Sequence, residues 1–205
     1  MRNSTRVFVA LPLSSEAADA SRRAQDRLRS VVPTAAHLRW VDPESMHVTM
    51  KFIGSLPNDL LATAADIVRT AAEQTDHCEG EALGIQAFPA AQRARVLVVA
   101  LTTPPPLATL QARLEAAFAG LGVAAEQRPF RAHVSLARLR QPRDARPWIE
   151  SAVFSSFRAA FRHVVLFRSD LRPDGARYVP LHTARLGGLA AEEGVHAESP
   201  SSSRR

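Results

Sequence analysis

The sequence carries one short pattern twice, HVTM at residues 47–50 and HVSL at residues 133–136. In each copy a hydroxyl residue, Thr49 or Ser135, follows the histidine by two positions, and apolar residues fill the alternate positions. Side chains at positions i and i+2 of a β-strand point to the same face, so each histidine would lie beside its hydroxyl. The alternate apolar side chains would then face a core. The pattern predicts two similar strands, one in each half of the chain.

Further strand and helix signals surround both copies. Apolar runs of strand length predict strands at residues 6–11, 47–53, 83–88, 95–101, 132–139, 161–171 and 177–186. Amphipathic runs predict helices at residues 15–29, 60–72, 107–121 and 148–154. We expect Asn58 to cap the second helix, Gly54 to end the second strand, and the Pro-Asp-Gly sequence at residues 173–175 to form a hairpin turn. This order predicts an α+β fold with antiparallel sheets and a weak internal duplication.

The composition is that of a globular chain with a mild basic excess. Hydrophobic residues make up 46% of the chain, and no run of about 18 apolar residues offers a membrane span. The single cysteine, Cys78, excludes an internal disulfide and favours a cytoplasmic protein. The net charge is +6, and Lys51 is the only lysine among 26 basic residues. This arginine bias is typical of a GC-rich genome, and it also favours anionic partners such as nucleic acid, because a guanidinium binds phosphate oxygens in pairs.

Two histidines brought to one cleft would suit acid–base chemistry. If the strands of His47 and His133 faced each other, two imidazoles and two hydroxyls would surround one cleft. One neutral and one protonated imidazole form an acid–base pair near neutral pH. No cluster of His, Cys, Asp and Glu has metal-ligand spacing, so we expect neither a metal nor a cofactor. The remaining histidines lack this pattern: His37, His77, His163, His182 and His196. Phe52 and Phe130 are interpreted as core residues.

Longer segments around the two patterns resemble a known family. Residues 40–54, WVDPESMHVTMKFIG, and residues 128–138, RPFRAHVSLAR, are similar to the two signature segments of the bacterial and archaeal RNA 2′,3′-cyclic phosphodiesterases. This family of two-histidine (2H) phosphoesterases, with two HXTX motifs, was formerly called 2′-5′ RNA ligases. The resemblance extends over about residues 5–187 and includes RVFVALP at residues 6–12 and DGARY at residues 174–178. Two residues depart from the family pattern: Ser135 replaces the usual threonine, and Ala132 replaces a common proline.

The resemblance implies a fold, a reaction and the roles of five residues. The fold would be one bilobal α+β domain over residues 1–187, with two pseudo-symmetric antiparallel β-sheets, flanking helices and a central active-site cleft. The enzyme would hydrolyse RNA 2′,3′-cyclic phosphate ends to 2′-phosphomonoesters without a metal. His47 would be the proton donor and His133 the proton acceptor. Thr49, Ser135 and Arg138 would bind the phosphate.

Two other functions remain open at the level of sequence. The same histidines with exchanged roles would catalyse the reverse reaction, in which a 5′-hydroxyl end attacks the cyclic phosphate and a 2′-5′ RNA ligation results. The third function is that of a non-catalytic RNA-binding protein, which the intact histidines and hydroxyls disfavour. We expect a cytoplasmic monomer whose partner is RNA with cyclic phosphate ends, tRNA fragments included, and not a membrane. Residues 188–205 lack apolar periodicity and are predicted to be a disordered tail.

Overall fold

The strands of the chain form one antiparallel sheet that carries its helices on one face. The computed structural model describes residues 3–171 and 176–187. Its strands are β1 (Ser4–Pro12), β2 (Leu38–Trp40), β3 (His47–Pro57), β4 (Cys78–Phe88), β5 (Ala94–Leu101), β6 (His133–Arg143), β7 (Arg158–Phe161), β8 (His163–Leu171) and β9 (Ala176–Arg185). Its α-helices are α1 (Ser15–Val31), α2 (Leu61–Glu73), α3 (Pro105–Ala119) and α4 (Arg146–Ser151). The predicted α+β class is confirmed.

The two predicted sheets are present as the two halves of one sheet. The strand order is β7-β4-β5-β6-β3-β1-β8-β9, and β2 pairs with β6 outside this path. The halves meet at the junction of β6 and β3, where a single residue pair, Val134 with Val48, joins them. Beyond that pair the two strands separate, and β2 pairs instead with residues 137–139 of β6. The sheet therefore consists of two four-stranded units, one on each side of the junction between β6 and β3.

The two lobes do not correspond to the two halves of the sequence. One lobe contains β3, β1, β8 and β9, and α2 and α3 pack on it; the other contains β6, β5, β4 and β7, and α1 packs on it beside α4. Helix α1 follows β1 in the chain but contacts β6 and β7, and α3 follows β5 but contacts β3. Each lobe is therefore completed by a helix that the sequence places next to a strand of the other lobe.

Several predicted boundaries need correction. β3 does not end at Gly54 but runs on to Pro57, because Gly54 adopts a φ of 81° at an irregularity in its pairing with β1. Asn58 does not cap α2, since it begins a short 3-10 turn and its side chain accepts a hydrogen bond from the Thr5 hydroxyl at 2.8 Å. The strand predicted over residues 161–171 is divided between β7 and β8. The predicted hairpin turn at residues 173–175 and the tail at residues 188–205 lie outside the described residues.

None of the helices described here is both long enough and apolar enough to cross a membrane. The cytoplasmic location stays a prediction.

Candidate active site

The rings of His47 and His133 are fixed in the same way. The Nδ1 atom of His47 lies 2.7 Å from the backbone oxygen of Ser45, and that of His133 lies 2.7 Å from the backbone oxygen of Arg131. A carbonyl oxygen can only accept a hydrogen bond, so each Nδ1 carries the proton of the neutral ring. The Nε2 atom of each imidazole is consequently the one available for chemistry.

The two motifs lie side by side on the face of the sheet that the core leaves free. Val48 and Val134 are buried in the core and form the junction pair, so the histidines and hydroxyls next to them point the other way. In this antiparallel register His47 is level with Ser135, and His133 is level with Thr49. We call this surface the open face and define it by these four residues: His47, Thr49, His133 and Ser135. The structure thus brings together the four side chains that the sequence pattern singled out.

A β-bulge brings Arg138 to the same face. Five positions separate Arg138 from His133, and an odd offset in a regular strand would place the two side chains on opposite faces. β6 pairs Ser135 with Val98 and Ala137 with Leu97, so Leu136 is an extra residue. Leu136 and Ala137 are consecutive and both are buried in the core, which returns Arg138 to the open face. Arg138 is exposed there.

The same irregularity occurs in β3. Its pairing with β1 passes from Thr49 to Lys51 and omits Met50, and both Met50 and Lys51 are buried. Phe52, five positions after His47, therefore returns to the open face and is 62% exposed. The interpretation of Phe52 as a core residue is wrong because it assumed regular alternation. Phe130 is partly buried and packs against the core, as predicted.

Buried polar side chains hold both bulges. The side-chain amide of Gln25, on α1, donates to the backbone oxygens of Val41 and Leu136 at 2.7 and 2.9 Å. Lys51 is 3% exposed, and its Nζ donates to Glu115 of α3 at 2.5 Å and to a backbone oxygen at 2.7 Å. Sequence reasoning missed Gln25, although a glutamine beside Ala24 and Leu28 on an apolar helix face was an available signal.

More aromatic rings lie near His47 than near His133. The His47 ring centroid lies 5.1 Å from that of Phe8, 5.3 Å from that of Tyr178 and 6.4 Å from that of Phe167. The ring of Phe88 is perpendicular to that of His133, and the two centroids are 5.0 Å apart. The His47 Nε2 also lies 3.1 Å from the Thr49 hydroxyl, whereas within the described chain His133 is hydrogen-bonded through Nδ1 alone.

This environment lowers the pKa of both histidines below the ordinary value. Burial is the main cause for His47 and for His133, because it disfavours the charged imidazolium. The positive charge of Arg138 lowers both pKa values further, and His133 contributes to the shift of His47. The backbone hydrogen bonds oppose these effects. Arg138 is thus electrostatically coupled to both imidazoles.

His182, another of the remaining histidines, does not join this site. It lies on β9 opposite Leu166 of β8, which is buried in the core, so His182 is on the helix side of the sheet. His163 is the first residue of β8 and is exposed. Across the described parts of the chain, no group of three or more His, Cys, Asp or Glu is arranged to hold a metal ion.

One family model covers most of the chain. The model of the 2′-5′ RNA ligase superfamily matches residues 17–173. The chain belongs to the 2′-5′ RNA ligase superfamily. The family expected from the two signature segments, and its assignment as an enzyme family, are confirmed.

Individual members of the superfamily match most of the chain. The RNA 2′,3′-cyclic phosphodiesterase of Methanothermobacter thermautotrophicus is 28% identical over 187 residues, which cover 88% of this chain and 98% of that protein. The enzyme of the same name from Aeropyrum pernix is 29% identical over 120 residues, 58% of this chain and 67% of that protein.

Solved structures share the fold. The protein TT0787 of Thermus thermophilus superposes with a TM-score of 0.75 at 23% identity and covers 90% of this chain and 100% of its own. Escherichia coli LigT complexed with 3′-AMP gives a TM-score of 0.67 at 21% identity and covers 90% of this chain and 99% of its own. The expected fold family is confirmed.

Proposed function

We propose that the protein hydrolyses RNA 2′,3′-cyclic phosphate ends to 2′-phosphomonoesters by acid–base catalysis with His47 and His133. The observation that carries the proposal is the pair of imidazoles on one face, each with Nδ1 held by a backbone oxygen and Nε2 left for proton transfer. The relatives named as RNA 2′,3′-cyclic phosphodiesterases support the choice of substrate.

In the proposed mechanism each Nε2 moves one proton. Neutral His133 accepts a proton from water while the water oxygen bonds to phosphorus. The bond from phosphorus to the ribose 3′-oxygen breaks on the opposite side, and protonated His47 gives its proton to that oxygen. The products are a 2′-phosphate and a free 3′-hydroxyl. After this step His133 is protonated and His47 is neutral, and exchange of protons with solvent restores their starting protonation states.

Three further residues would stabilise the phosphate. The hydroxyls of Thr49 and Ser135 lie on the open face at the level of the opposite histidine and would donate to the non-bridging oxygens. Negative charge on these oxygens grows as water attacks, so a fixed cation stabilises the transition state more than the ground state. Arg138 supplies that cation, and its coupling to both imidazoles supports a place between them.

A product assay tests the proposal. RNA ending in a 2′,3′-cyclic phosphate is incubated with the protein, with and without RNA that begins with a 5′-hydroxyl, and phosphorus NMR follows the products. We expect a 2′-phosphomonoester in both cases. A 3′-phosphomonoester would contradict the assigned leaving oxygen, and a joined 2′-5′ product as the main outcome would establish the ligase instead. Binding without turnover would establish a non-catalytic RNA-binding protein.

Finer aspects of the substrate and assembly belong to the same proposal. We expect tRNA fragments with cyclic phosphate ends among the substrates, and a monomer as the active form. Size-exclusion chromatography with light scattering measures the oligomeric state, and a dimer mass under assay conditions would contradict the monomer.

A further inference from the structure

Arg39 of β2 lies directly opposite Arg138 of β6 in the antiparallel register. Leu38 and Trp40, on either side of Arg39, pack against the core. Because side chains alternate along a strand, Arg39 points away from the core and onto the open face beside Arg138. Cross-strand partners on one face have Cβ atoms about 4.5–5.5 Å apart.

Arg140 extends this basic surface along β6. Leu139 is buried in the core, so Arg140 alternates back to the face of Arg138 and is exposed. Two residues of a strand span about 6.6 Å. We call Arg39, Arg138 and Arg140 the arginine row; it leads from the histidine pair along the outer part of β6.

The arginine row has no compensating negative charge in the described structure. Like charges directly opposite each other in a sheet are destabilising. Within residues 3–171 and 176–187, no carboxylate forms a salt bridge with any arginine of the row. The strands β2, β5 and β6 contain neither Asp nor Glu. A row of unneutralised guanidiniums next to a phosphodiester site points to a second anionic group on the substrate.

The short strand that carries Arg39 is held firmly. The guanidinium of Arg29, in the last turn of α1, lies 4.8 Å from the centre of the Trp40 ring. The backbone N–H of Val41 donates to Leu136 at 2.9 Å, and Gln25 bonds both of their carbonyl oxygens. The backbone that carries Arg39 is therefore already ordered, so binding of a ligand by Arg39 costs less conformational entropy.

We propose that Arg39 and Arg140 bind the backbone phosphate one nucleotide upstream of the cyclic phosphate. The inference rests on the proposed function. A 2′,3′-cyclic phosphate ends the RNA, so the rest of the molecule leaves through the 5′-oxygen of the terminal ribose. The next anion on that path is the upstream phosphodiester. With Arg138 on the cyclic phosphate, the next two guanidiniums of the row take that phosphodiester, and the enzyme prefers oligonucleotides to cyclic mononucleotides.

The test compares kcat/KM for two substrates. One is a dinucleotide ending in a 2′,3′-cyclic phosphate, which has one upstream phosphodiester; the other is the same terminal nucleoside 2′,3′-cyclic phosphate alone. The wild type should prefer the dinucleotide, and Arg39→Gln should reduce this preference about tenfold, as expected for a lost charge-assisted contact. Arg140→Gln should reduce it in the same direction, and Arg39→Lys less than Arg39→Gln, because lysine keeps the charge.

A neutral substrate and a matched variant isolate the contact. A dinucleotide whose upstream phosphodiester is replaced by an uncharged methylphosphonate should lose most of its advantage with the wild type and little with Arg39→Gln. The control is Arg23→Gln, because Arg23 is exposed on α1, on the helix side of the sheet, and without a salt bridge among the described residues. A preference unchanged in Arg39→Gln, or reduced equally in Arg23→Gln, would overturn the proposal.

Binding measurements separate this inference from the proposed reaction. If the wild type turns over neither substrate, the proposed function fails. The subsite is then tested by the affinity for a dinucleotide with a 3′-terminal 2′-phosphate relative to the nucleoside 2′-phosphate. Arg39→Gln should weaken binding of the dinucleotide about tenfold more than that of the mononucleotide. Equal affinities of the wild type for the two ligands would show that no upstream subsite exists.

Discussion

The two half-sites, one on β3 and one on β6, share a backbone design and differ in their surroundings. In both, a backbone oxygen two residues earlier holds the histidine Nδ1, a hydroxyl follows two residues later, and a bulge comes next. His47 is enclosed by Phe8 and Tyr178 and contacts the Thr49 hydroxyl. The β6 half-site instead ends with the charge of Arg138, and the β3 half-site ends with the uncharged ring of Phe52.

In the proposed mechanism, one duplicated scaffold supports two opposite proton transfers. The shared carbonyl contacts fix the same ring nitrogen in both halves, so the scaffold itself does not distinguish an acid from a base. Neighbouring side chains make the distinction: in the described structure His133 Nε2 has no hydrogen-bond partner and can accept a proton from water, while His47 Nε2 is already oriented by Thr49. We interpret this asymmetry as support for the proposed division of roles.

The largest expected effect is the loss of either imidazole. His47→Ala and His133→Ala should each lower kcat about 10²–10⁴-fold, because a positioned acid or base contributes that much. The double variant should lose much less than the product of the two factors, since both groups act in one step. Steady-state kinetics measure this, and circular dichroism checks the fold. A single variant that keeps more than about a tenth of the activity would remove that histidine from its role.

The next effect concerns the charge that distinguishes the β6 half-site. Arg138→Lys keeps the charge but loses the paired hydrogen bonds, so kcat/KM should fall about 10- to 100-fold, which corresponds to about 1.5–3 kcal/mol. Thermal unfolding should change little, because Arg138 is exposed and forms no described salt bridge. Unchanged kinetics would show that Arg138 does not contact the substrate.

The pH profile tests the electrostatic coupling of the half-sites. The proposed mechanism needs one protonated and one neutral imidazole, and both pKa values lie below the ordinary value of 6.5. At neutral pH both rings are mostly neutral, so kcat/KM should rise as the pH falls and decline again when both rings are protonated. The maximum should therefore lie below pH 6.5.

Removal of the Arg138 charge should shift this profile in a definite direction. The guanidinium lowers the pKa of both histidines, so Arg138→Gln should raise both pKa values and move the maximum to higher pH. Arg138→Lys should leave the maximum in place because it keeps the positive charge. A maximum of Arg138→Gln at lower pH than that of the wild type would contradict the coupling.

Two treatments should have almost no effect. Exhaustive dialysis against EDTA should leave the rate unchanged, because in the proposed mechanism the histidines carry both proton transfers. Activity lost on chelation and restored by a divalent ion would disprove the metal-independent mechanism.

Deletion of residues 188–205 should likewise change kcat/KM less than about twofold, since that segment lacks apolar periodicity. The truncation starts after Gly187, whose N–H donates to Thr75 at 2.7 Å. A truncated protein that folds but does not turn over would show that the segment contributes to the site.

The sequence predicted the elements that depend on local alternation. The positions of the two motif strands and of α1 followed from apolar periodicity, and the Ser14 hydroxyl accepts from the N–H of Ala17 at 3.3 Å as a cap should. The grouping of His47 with Thr49 and of His133 with Ser135 required only a regular strand. Alternation also failed where the strands are irregular. It placed Phe52 in the core, and it would have placed Arg138 there too without the family resemblance.

Other features depend on contacts between distant segments, which a single sequence does not encode locally. β2 is three residues long and has no independent stability, so its pairing with β6 is set by the separation of β3 and β6 after their junction. The position of Arg39 opposite Arg138 follows from that pairing alone. The exchange of α1 and α3 between the lobes is equally non-local, and it is what brings Gln25 to the β6 bulge.

The most direct test of the division of roles is a change of leaving group. In the 2′-(4-nitrophenyl phosphate) of a 3′-deoxynucleoside, nitrophenolate takes the place of the 3′-oxygen and departs without a proton. We expect His47→Ala to hydrolyse this diester at close to the wild-type rate, while His133→Ala remains impaired about 10²–10⁴-fold. Equal impairment of both variants, or rescue of His133→Ala instead of His47→Ala, would contradict the assignment of His47 as the acid and His133 as the base.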